Sequence, residues 1–164
     1  MKRRNFLKHS SFLMALSPFS IAASARAGTV AQGDFEVSYT PEEWRERLDD
    51  ATYDVLRNAG TERPFSTPLN DEKREGVFHC KGCDQELYNS ETKYESGTGW
   101  PSFYAPLENA VATMPDRSLF SVRTEVHCDR CGGHLGHIFD DGPQPTGKRH
   151  CLNGVALTFE PTTA

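Results

Sequence analysis

Five cysteines mark where this chain of 164 residues can do chemistry. Cys80 and Cys83 form one Cys-x-x-Cys motif, and Cys128 and Cys131 form a second, with 44 residues between the two motifs. Zinc in structural sites takes four tetrahedral ligands, and two thiolates three positions apart can reach one ion from a tight turn. The pattern therefore predicts one structural zinc ion per chain, held by these four side chains.

Two other uses of paired cysteines compete with zinc. Four cysteines in an exported protein can form two disulfides, and a single Cys-x-x-Cys can act as a redox pair. The repetition of the motif favours zinc over both. His79 and His127 each stand next to a predicted ligand, but four cysteines already complete the site, so we expect neither histidine to bind the metal.

The fifth cysteine, Cys151, stands alone in the segment Arg-His-Cys-Leu-Asn. If the segment is extended, Arg149, Cys151 and Asn153 share one face, while His150 and Leu152 share the other. A guanidinium beside a thiol favours the thiolate, which is the nucleophilic form. On this segment alone, a buried structural thiol beside a chance arginine is an equally good interpretation.

Three further motifs surround this thiol in the sequence. Trp100 and Phe103 belong to a Ser-Gly-Thr-Gly-Trp-Pro-Ser-Phe loop, whose aromatic side chains suit a small apolar pocket. His134 and His137 stand in His-Leu-Gly-His, and imidazoles exchange protons near neutral pH. Asp141 precedes Gly-Pro, and we expect it to be a turn residue.

Taken together, these motifs resemble the methionine sulfoxide reductase B family. The paired Cys-x-x-Cys motifs, GWPSF, HLGH, DGPxPTG and RxCxN occur in the family's order, over roughly residues 40–160. The resemblance implies a mainly β fold of two antiparallel sheets with a few peripheral helices, and a structural zinc distant from the chemistry. It assigns catalysis to Cys151, His134, His137, Arg149 and Asn153, and substrate binding to Trp100 and Phe103.

The implied reaction is the reduction of methionine R-sulfoxide to methionine. Cys151 would attack the sulfoxide sulfur and be left as a sulfenic acid. His134 and His137 would protonate the departing oxygen, and Arg149 would hold Cys151 as thiolate. Asn153 would orient the nucleophile segment. Trp100 would pack against the substrate methyl group, and Phe103 would support that wall.

The chain departs from the family at Thr98. Many members carry a cysteine at this place, which condenses with the sulfenic acid, and this chain has no spare cysteine elsewhere. We therefore predict a cycle with one cysteine, in which a thioredoxin-like protein or another external thiol reduces Cys151.

The other expected partners are oxidised proteins or peptides, and we expect a monomer. A non-catalytic binding module and a general thiol oxidoreductase are the competing functions.

The N-terminus has the order of an export signal. Its basic start resembles a twin-arginine motif, an apolar stretch follows, and Ala25-Arg26-Ala27 suits signal peptidase. An ordinary Sec signal is the alternative. We predict a signal peptide over 1–27, a linker over 28–39 and a catalytic domain over 40–164. The expected location is the bacterial periplasm, with no stable membrane association after cleavage.

Charge excludes one class of partner. Cleavage after Ala27 removes five Lys or Arg and no acid, which takes the net charge from −5 to −10. A surface this acidic repels phosphate backbones, so nucleic-acid binding is disfavoured.

The elements that must position these residues can be predicted in outline. Thr40, Pro41 and Glu43 form a capping box with proline at the first helical position, and one apolar stripe predicts a single helix ending near Gly60. The later apolar segments are short and separated by turn residues, which is typical of antiparallel sheets. The predicted strands are 77–79, 86–88, 119–126, 135–139 and 155–160.

Overall fold

Nine β-strands, all paired antiparallel, form two sheets in the computed structural model, which describes residues 30–118 and 121–162. Two helices precede them, so the predicted mainly β fold of two antiparallel sheets with peripheral helices is confirmed. The elements in chain order are α1 (Pro41–Arg47), α2 (Asp50–Asn58), β1 (Gly76–Cys80), β2 (Glu86–Asn89), β3 (Lys93–Tyr94), β4 (Ser102–Phe103), β5 (Val111–Asp116), β6 (Arg123–Cys128), β7 (His134–Phe139), β8 (Arg149–Leu152) and β9 (Leu157–Pro161).

The smaller sheet has the strand order β2-β1-β9, and the larger has the order β3-β4-β8-β7-β6-β5. Aromatic side chains join the two sheets. Phe103 on β4 lies 4.9 Å from Phe78 on β1 and 4.6 Å from Tyr88 on β2, measured between ring centroids. All three are fully buried. Burial of these large rings supplies much of the core's apolar area. Strand β8 is an inner strand of the larger sheet, between β4 and β7.

The single predicted helix is wrong, because the chain breaks at Leu48 and starts again. Thr40 caps α1 through the predicted capping box with Glu43. Asp49 then caps α2, since its carboxylate accepts a hydrogen bond of 2.9 Å from the amide of Thr52. A second cap of this kind satisfies free amides that a continuous helix would not have. Ala51 would share the apolar stripe of a single helix with Trp44, Leu48 and Val55, but after the break it is exposed.

The strand predictions are confirmed in position more than in extent. Strands β1, β2 and β7 contain the predicted segments, whereas β6 begins at Arg123 and β9 begins at Leu157. Residues 119 and 120, where the third predicted strand began, lie outside the described residues. Strand β5 was not predicted, because Pro115 interrupts its pattern. It lies at the edge of the larger sheet, where proline is tolerated.

Residues 30–39, predicted as a linker, lie against the domain. Ala31 is buried, the amide of Val37 donates to the carbonyl of Arg130, and Phe35 packs edge-on against His127. The predicted signal peptide, its cleavage site and the first residues of the linker lie outside the described residues. No helix in the described part of the chain is long and apolar enough to cross a membrane.

Candidate active site

The four paired cysteines converge on one point between two hairpin turns. Cys80 ends β1 and Cys128 ends β6, and the turns that follow carry Cys83 and Cys131. The ligand-type atoms of the four side chains all lie within 4.8 Å of one another. The Sγ atoms are 3.7 Å apart for Cys80 and Cys131, and 3.5 Å apart for Cys83 and Cys128.

These distances fit a tetrahedral metal ion. Ligands about 2.3 Å from a zinc ion lie about 3.8 Å from one another in a tetrahedron. Hydrogen bonding with the other thiols, together with burial, raises the pKa of Cys80. Four thiolates so close together therefore need a cation to neutralise them. The cluster is a candidate site for a metal ion, and its all-sulfur ligands suit zinc.

Packing holds the two turns at a fixed distance. Leu56 on α2 packs against Gly82 in the first turn and Gly133 after the second. A Cβ added at these glycines would lie only 3.2 Å and 2.9 Å from the Leu56 methyl groups. Gly132 has φ of 67°, a conformation that side chains other than glycine rarely adopt. Helix α2 is thus the support that fixes the cluster's shape from outside.

Cys151 occupies the centre of a row of side chains that crosses the larger sheet. Strand pairing places Ser102 on β4 opposite Cys151 on β8, Cys151 opposite His137 on β7, and His137 opposite Glu125 on β6. Opposite residues in an antiparallel pair point to the same face. The register of four strands therefore brings the thiol and one imidazole side by side.

A small pocket of about 130 Å³ opens over this row. Trp100 and Phe139 supply its apolar walls, and Cys151 and His137 supply its reactive groups. The Trp100 indole is fixed, since Nε1 donates a hydrogen bond of 3.2 Å to the carbonyl of Glu62. Arg123 and Asn153 also line the pocket. An apolar pocket with few polar groups is typical of a small-molecule or side-chain site.

Arg149 is paired with the carboxylate of Asp141, and its charge also acts on the Cys151 thiol. Its Nε and Nη2 donate to the two oxygens of Asp141, at 2.8 and 2.9 Å, and its guanidinium lies 4.4 Å from the centre of the Phe139 ring. Asp141 was predicted to be a turn residue, and the structure gives it this second contact. Arg149 and Cys151 are close enough for the guanidinium charge to lower the pKa of the thiol, which fits their predicted place on one face.

The pKa of Cys151 is nevertheless raised, because burial outweighs the groups that lower it. Thr98 and Arg149 both lower it, Thr98 through a hydroxyl that lies 3.9 Å from Sγ. Arg149 thus lowers this pKa, but the net shift favours the thiol over the predicted thiolate. The raised pKa means that the neutral thiol is the favoured form of Cys151 at neutral pH in this pocket.

His137 hydrogen bonds to Asp116, and Asp116 is in turn paired with Arg123. Its Nε2 donates a hydrogen bond of 2.8 Å to Asp116, and the same carboxylate oxygen accepts a bond of 2.5 Å from Arg123. Burial lowers the pKa of His137, and the Arg123 charge lowers it further, while Asp116 opposes both. His137 is thus neutral at neutral pH, and Nδ1 carries no proton. This nitrogen can accept a proton, and strand pairing places His137 opposite Cys151.

His134 lies behind the pocket and does not line it. Its Nδ1 donates a hydrogen bond of 2.8 Å to one carboxylate oxygen of Glu125. The other oxygen accepts a hydrogen bond of 2.7 Å from Nδ1 of His127. The rings of His134 and His137 are 5.3 Å apart. His134 is 1 % exposed, and its Nε2 has no hydrogen-bond partner in the described ranges. The structure therefore separates the two histidines, with only His137 in the pocket.

Asn153 fastens the end of β8 to its surroundings. Its side-chain amide donates a hydrogen bond of 3.0 Å to the carbonyl of Leu135 and accepts one of 3.0 Å from the backbone amide of Glu62. The Glu62 carboxylate in turn accepts hydrogen bonds from the amides of Gly154 and Val155. This arrangement is consistent with the predicted orienting role, because it fixes the backbone directly after Cys151.

Phe103 and His150 both point away from the pocket. Phe103 is fully buried in the core between the sheets, so it supports the pocket from behind without contacting a substrate. His150 faces the same core, as alternation from Cys151 predicts, and its Nδ1 lies 2.9 Å from the Tyr88 hydroxyl. Burial lowers the pKa of His150 to about 4, so it stays neutral.

Several residues of the site were missed from the sequence. They are Glu62, Asp116, Arg123, Glu125, Phe139 and the pairing role of Asp141. Glu125 and Arg123 offered a signal, since charged residues alternate with apolar ones along a strand that must face the core on one side. Asp116 offered none, because it meets His137 only through the unpredicted strand β5.

Comparison with known proteins places the chain in a family. The model of the SelR domain matches residues 48–161. A peptide methionine sulfoxide reductase MsrB of Pseudomonas savastanoi pv. phaseolicola is 56 % identical over 123 residues, which cover 74 % of this chain and 94 % of the relative. A protein of the same name from Methanosarcina barkeri is 54 % identical over 125 residues, which cover 76 % and 88 %. A third, from Pseudomonas putida, is 53 % identical over 127 residues, which cover 77 % and 96 %.

Proposed function

The chain belongs to the SelR family, and on that premise we propose that it is a methionine sulfoxide reductase that uses Cys151 as nucleophile. The observation that carries the assignment is the pocket itself. It places one thiol opposite an imidazole, between Trp100 and Phe139, in a space that suits a thioether-sized side chain. An oxidoreductase of this class needs a nucleophilic sulfur, an apolar seat for the methyl group and a route for protons.

The first half of the cycle oxidises the enzyme. The Cys151 proton moves to Nδ1 of His137 as the sulfur attacks the sulfoxide sulfur, and His137 returns it to the oxygen. The oxygen then moves from the substrate sulfur to the Cys151 sulfur while the bond between the two sulfurs breaks, so methionine leaves and Cys151 is left as a sulfenic acid. No net proton is consumed in this half-reaction. Asp116 stabilises the imidazolium that forms between the two transfers.

The second half restores the thiol with an external reductant. Two thiols are oxidised to a disulfide, the sulfenic acid oxygen leaves as water, and Cys151 regains its proton. Thr98 occupies the position beside Cys151 from which a second cysteine could act, and its hydroxyl cannot form a disulfide. The four clustered cysteines are committed to the proposed zinc. We therefore assign the second half to a thioredoxin-like protein or a small thiol.

The proposed zinc supports the fold and takes no part in the reaction. When bound, it supplies four metal–sulfur bonds that join the β1–β2 turn to the β6–β7 turn. Strand β6 carries Glu125, which holds His134, and the sheet continues through β7 to Cys151. The metal thus acts on the pocket only by holding these strands in register.

The preferred substrate is the R epimer, by resemblance to the family, and it can be protein-bound or free.

We also propose export to the periplasm through the twin-arginine route, from the basic and apolar pattern of residues 1–27. Measuring the mass of the exported protein tests this second point. Removal of residues 1–27 is expected, and an intact Met1 would contradict it.

The decisive test compares R and S methionine sulfoxide with dithiothreitol as reductant. Wild type is expected to reduce only the R epimer, and Cys151→Ser to retain less than about a thousandth of that rate. Cys151→Ser should still bind one zinc per chain, which shows that it is folded. Equal activity of the two proteins, or none from wild type, would end the proposal.

A further inference from the structure

Two large apolar side chains remain exposed beside the pocket. Phe65 is 71 % exposed and Val122 is 60 % exposed, and no other large hydrophobic side chain in ranges 30–118 and 121–162 is as open. Val122 directly precedes Arg123, which lines the pocket. Phe65 bonds through its amide to the carbonyl of Gly99, at 2.7 Å, and Gly99 directly precedes Trp100. Each exposed residue is thus joined, by the chain or by a backbone hydrogen bond, to a segment that supplies a pocket residue.

The outward position of Phe65 is held by the backbone. Its φ is 60°, in the left-handed region that bulky residues rarely occupy. The hydrogen bond to Gly99 fixes this conformation. Gly99 itself allows the approach, since a Cβ there would lie 2.8 Å from the Phe65 ring. A strained residue that displays an aromatic ring to solvent at the edge of a pocket indicates a binding function.

The two residues belong to segments on opposite sides of the strand that carries the thiol. Trp100 leads into β4 and Arg123 opens β6, while β8 and β7 lie between them with Cys151 and His137. Three strand spacings of about 4.8 Å make this separation at least about 14 Å. An extended chain advances about 3.3 Å per residue, so four or five residues are needed to cross it.

We propose that Phe65 and Val122 form an apolar rim that binds the residues flanking methionine sulfoxide in an extended polypeptide. This inference rests on the proposed function. With the sulfoxide side chain in the pocket, apolar side chains about two positions before and after it would contact the rim. A single amino acid is too short to reach either rim residue. The rim therefore selects sulfoxides in exposed, apolar stretches of chain.

The test uses three substrates and dithiothreitol throughout. The first is methionine R-sulfoxide blocked as N-acetyl amide, the second is a Gly/Ser nonapeptide with the sulfoxide at its centre, and the third carries Leu two positions before and after it. For wild type, kcat/KM is expected to be about tenfold higher for the Leu peptide than for the Gly/Ser peptide. Phe65→Ser and Val122→Ser should each reduce this ratio about threefold, and the double variant should abolish it.

Control variants distinguish a contact at the rim from a change in the shape of the pocket or in reductant binding. Phe65→Leu should keep most of the ratio, and Val77→Ser on the smaller sheet should keep all of it. Turnover of the blocked residue should stay within about twofold in every variant. An equal loss on all three substrates would overturn the proposal, because it would mean that the rim shapes the pocket. A second assay replaces dithiothreitol with thioredoxin. A peptide ratio that is unchanged with dithiothreitol, together with slower turnover by thioredoxin, would also overturn the proposal, because the rim would then bind the reductant. Inactivity of wild type on the blocked residue would instead refute the proposed function.

Discussion

The four-cysteine cluster and the Cys151 pocket use the same side chain in opposite settings. In the cluster, each thiol has three thiol neighbours, with sulfur atoms as close as 3.5 Å. In the pocket, Cys151 faces a hydroxyl, a guanidinium and an imidazole, and none of the other four cysteines lies beside it. Neighbouring thiols favour a shared cation, whereas isolation leaves the sulfur free to attack a substrate. The neighbours of a cysteine thus decide whether it is suited to bind a metal ion or is left available as a nucleophile.

The two regions are also built differently. Each half of the cluster is a hairpin turn whose two ligands are three positions apart, so local backbone geometry is enough to form it. The pocket depends on the register of β4, β8, β7 and β6, because Ser102, Cys151, His137 and Glu125 come from four strands. A shift of one residue in any pairing would turn a member of the row to the other face.

The largest expected effect follows from removing one ligand of the cluster. Cys128→Ser should lose the metal and unfold at a much lower temperature, because structural zinc contributes about 10 kcal/mol or more in small domains. Metal analysis and thermal unfolding measure both. Cys151→Ser is the matched control and should match wild type in each. A Cys128→Ser protein that kept one zinc per chain and its melting temperature would show that the cluster is not a metal site.

A second change makes the pocket resemble the cluster by giving Cys151 a thiol neighbour. Thr98→Cys should condense with the sulfenic acid after one turnover, since the Thr98 hydroxyl already lies 3.9 Å from the sulfur. Mass spectrometry without reductant should find a sulfenic acid, trapped by dimedone, in wild type and in the control Thr98→Ser. In Thr98→Cys it should find a disulfide to Cys151. A disulfide in wild type would mean that a cluster cysteine is reaching the pocket.

The difference in construction explains how much the sequence could predict. The cluster follows from spacing alone, and its four cysteines were grouped without any strand being placed. The Cys151 segment followed from alternation once it was taken as extended, and that correctly turned His150 inward. Asp116 and Glu125 could not be assigned roles, because a contact between distant strands depends on register. Phe103 looked like a pocket residue beside Trp100, but strand alternation in β4 turns it into the core.

The third prediction concerns His150, which points from β8 into the core. Packing of this kind holds the Cys151 segment in position, whereas the cluster depends on its proposed metal ion. The pKa of His150 is about 4 in the folded protein, below its ordinary value of about 6.5, so the unfolded chain takes up the proton first. Stability present above about pH 6.5 should therefore fall by about 3 kcal/mol between pH 6.5 and pH 4 on account of this group. Denaturant unfolding of wild type and His150→Gln over this range isolates it. Equal slopes in the two proteins would contradict the prediction.

The smallest expected effect concerns the charge beside Cys151. Burial raises the pKa of this thiol while Arg149 lowers it, so Arg149→Met should raise the pKa further. Alkylation by iodoacetamide at pH 8 should then slow about three- to tenfold, and its pH profile should move to higher pH. The neighbouring Lys148 pairs with Asp140 on the outside, so Lys148→Met is a matched loss of charge that should leave the profile in place. If both variants shifted the profile alike, the pocket would be responding to overall charge, and the contrast with the cluster would rest on burial rather than on the guanidinium.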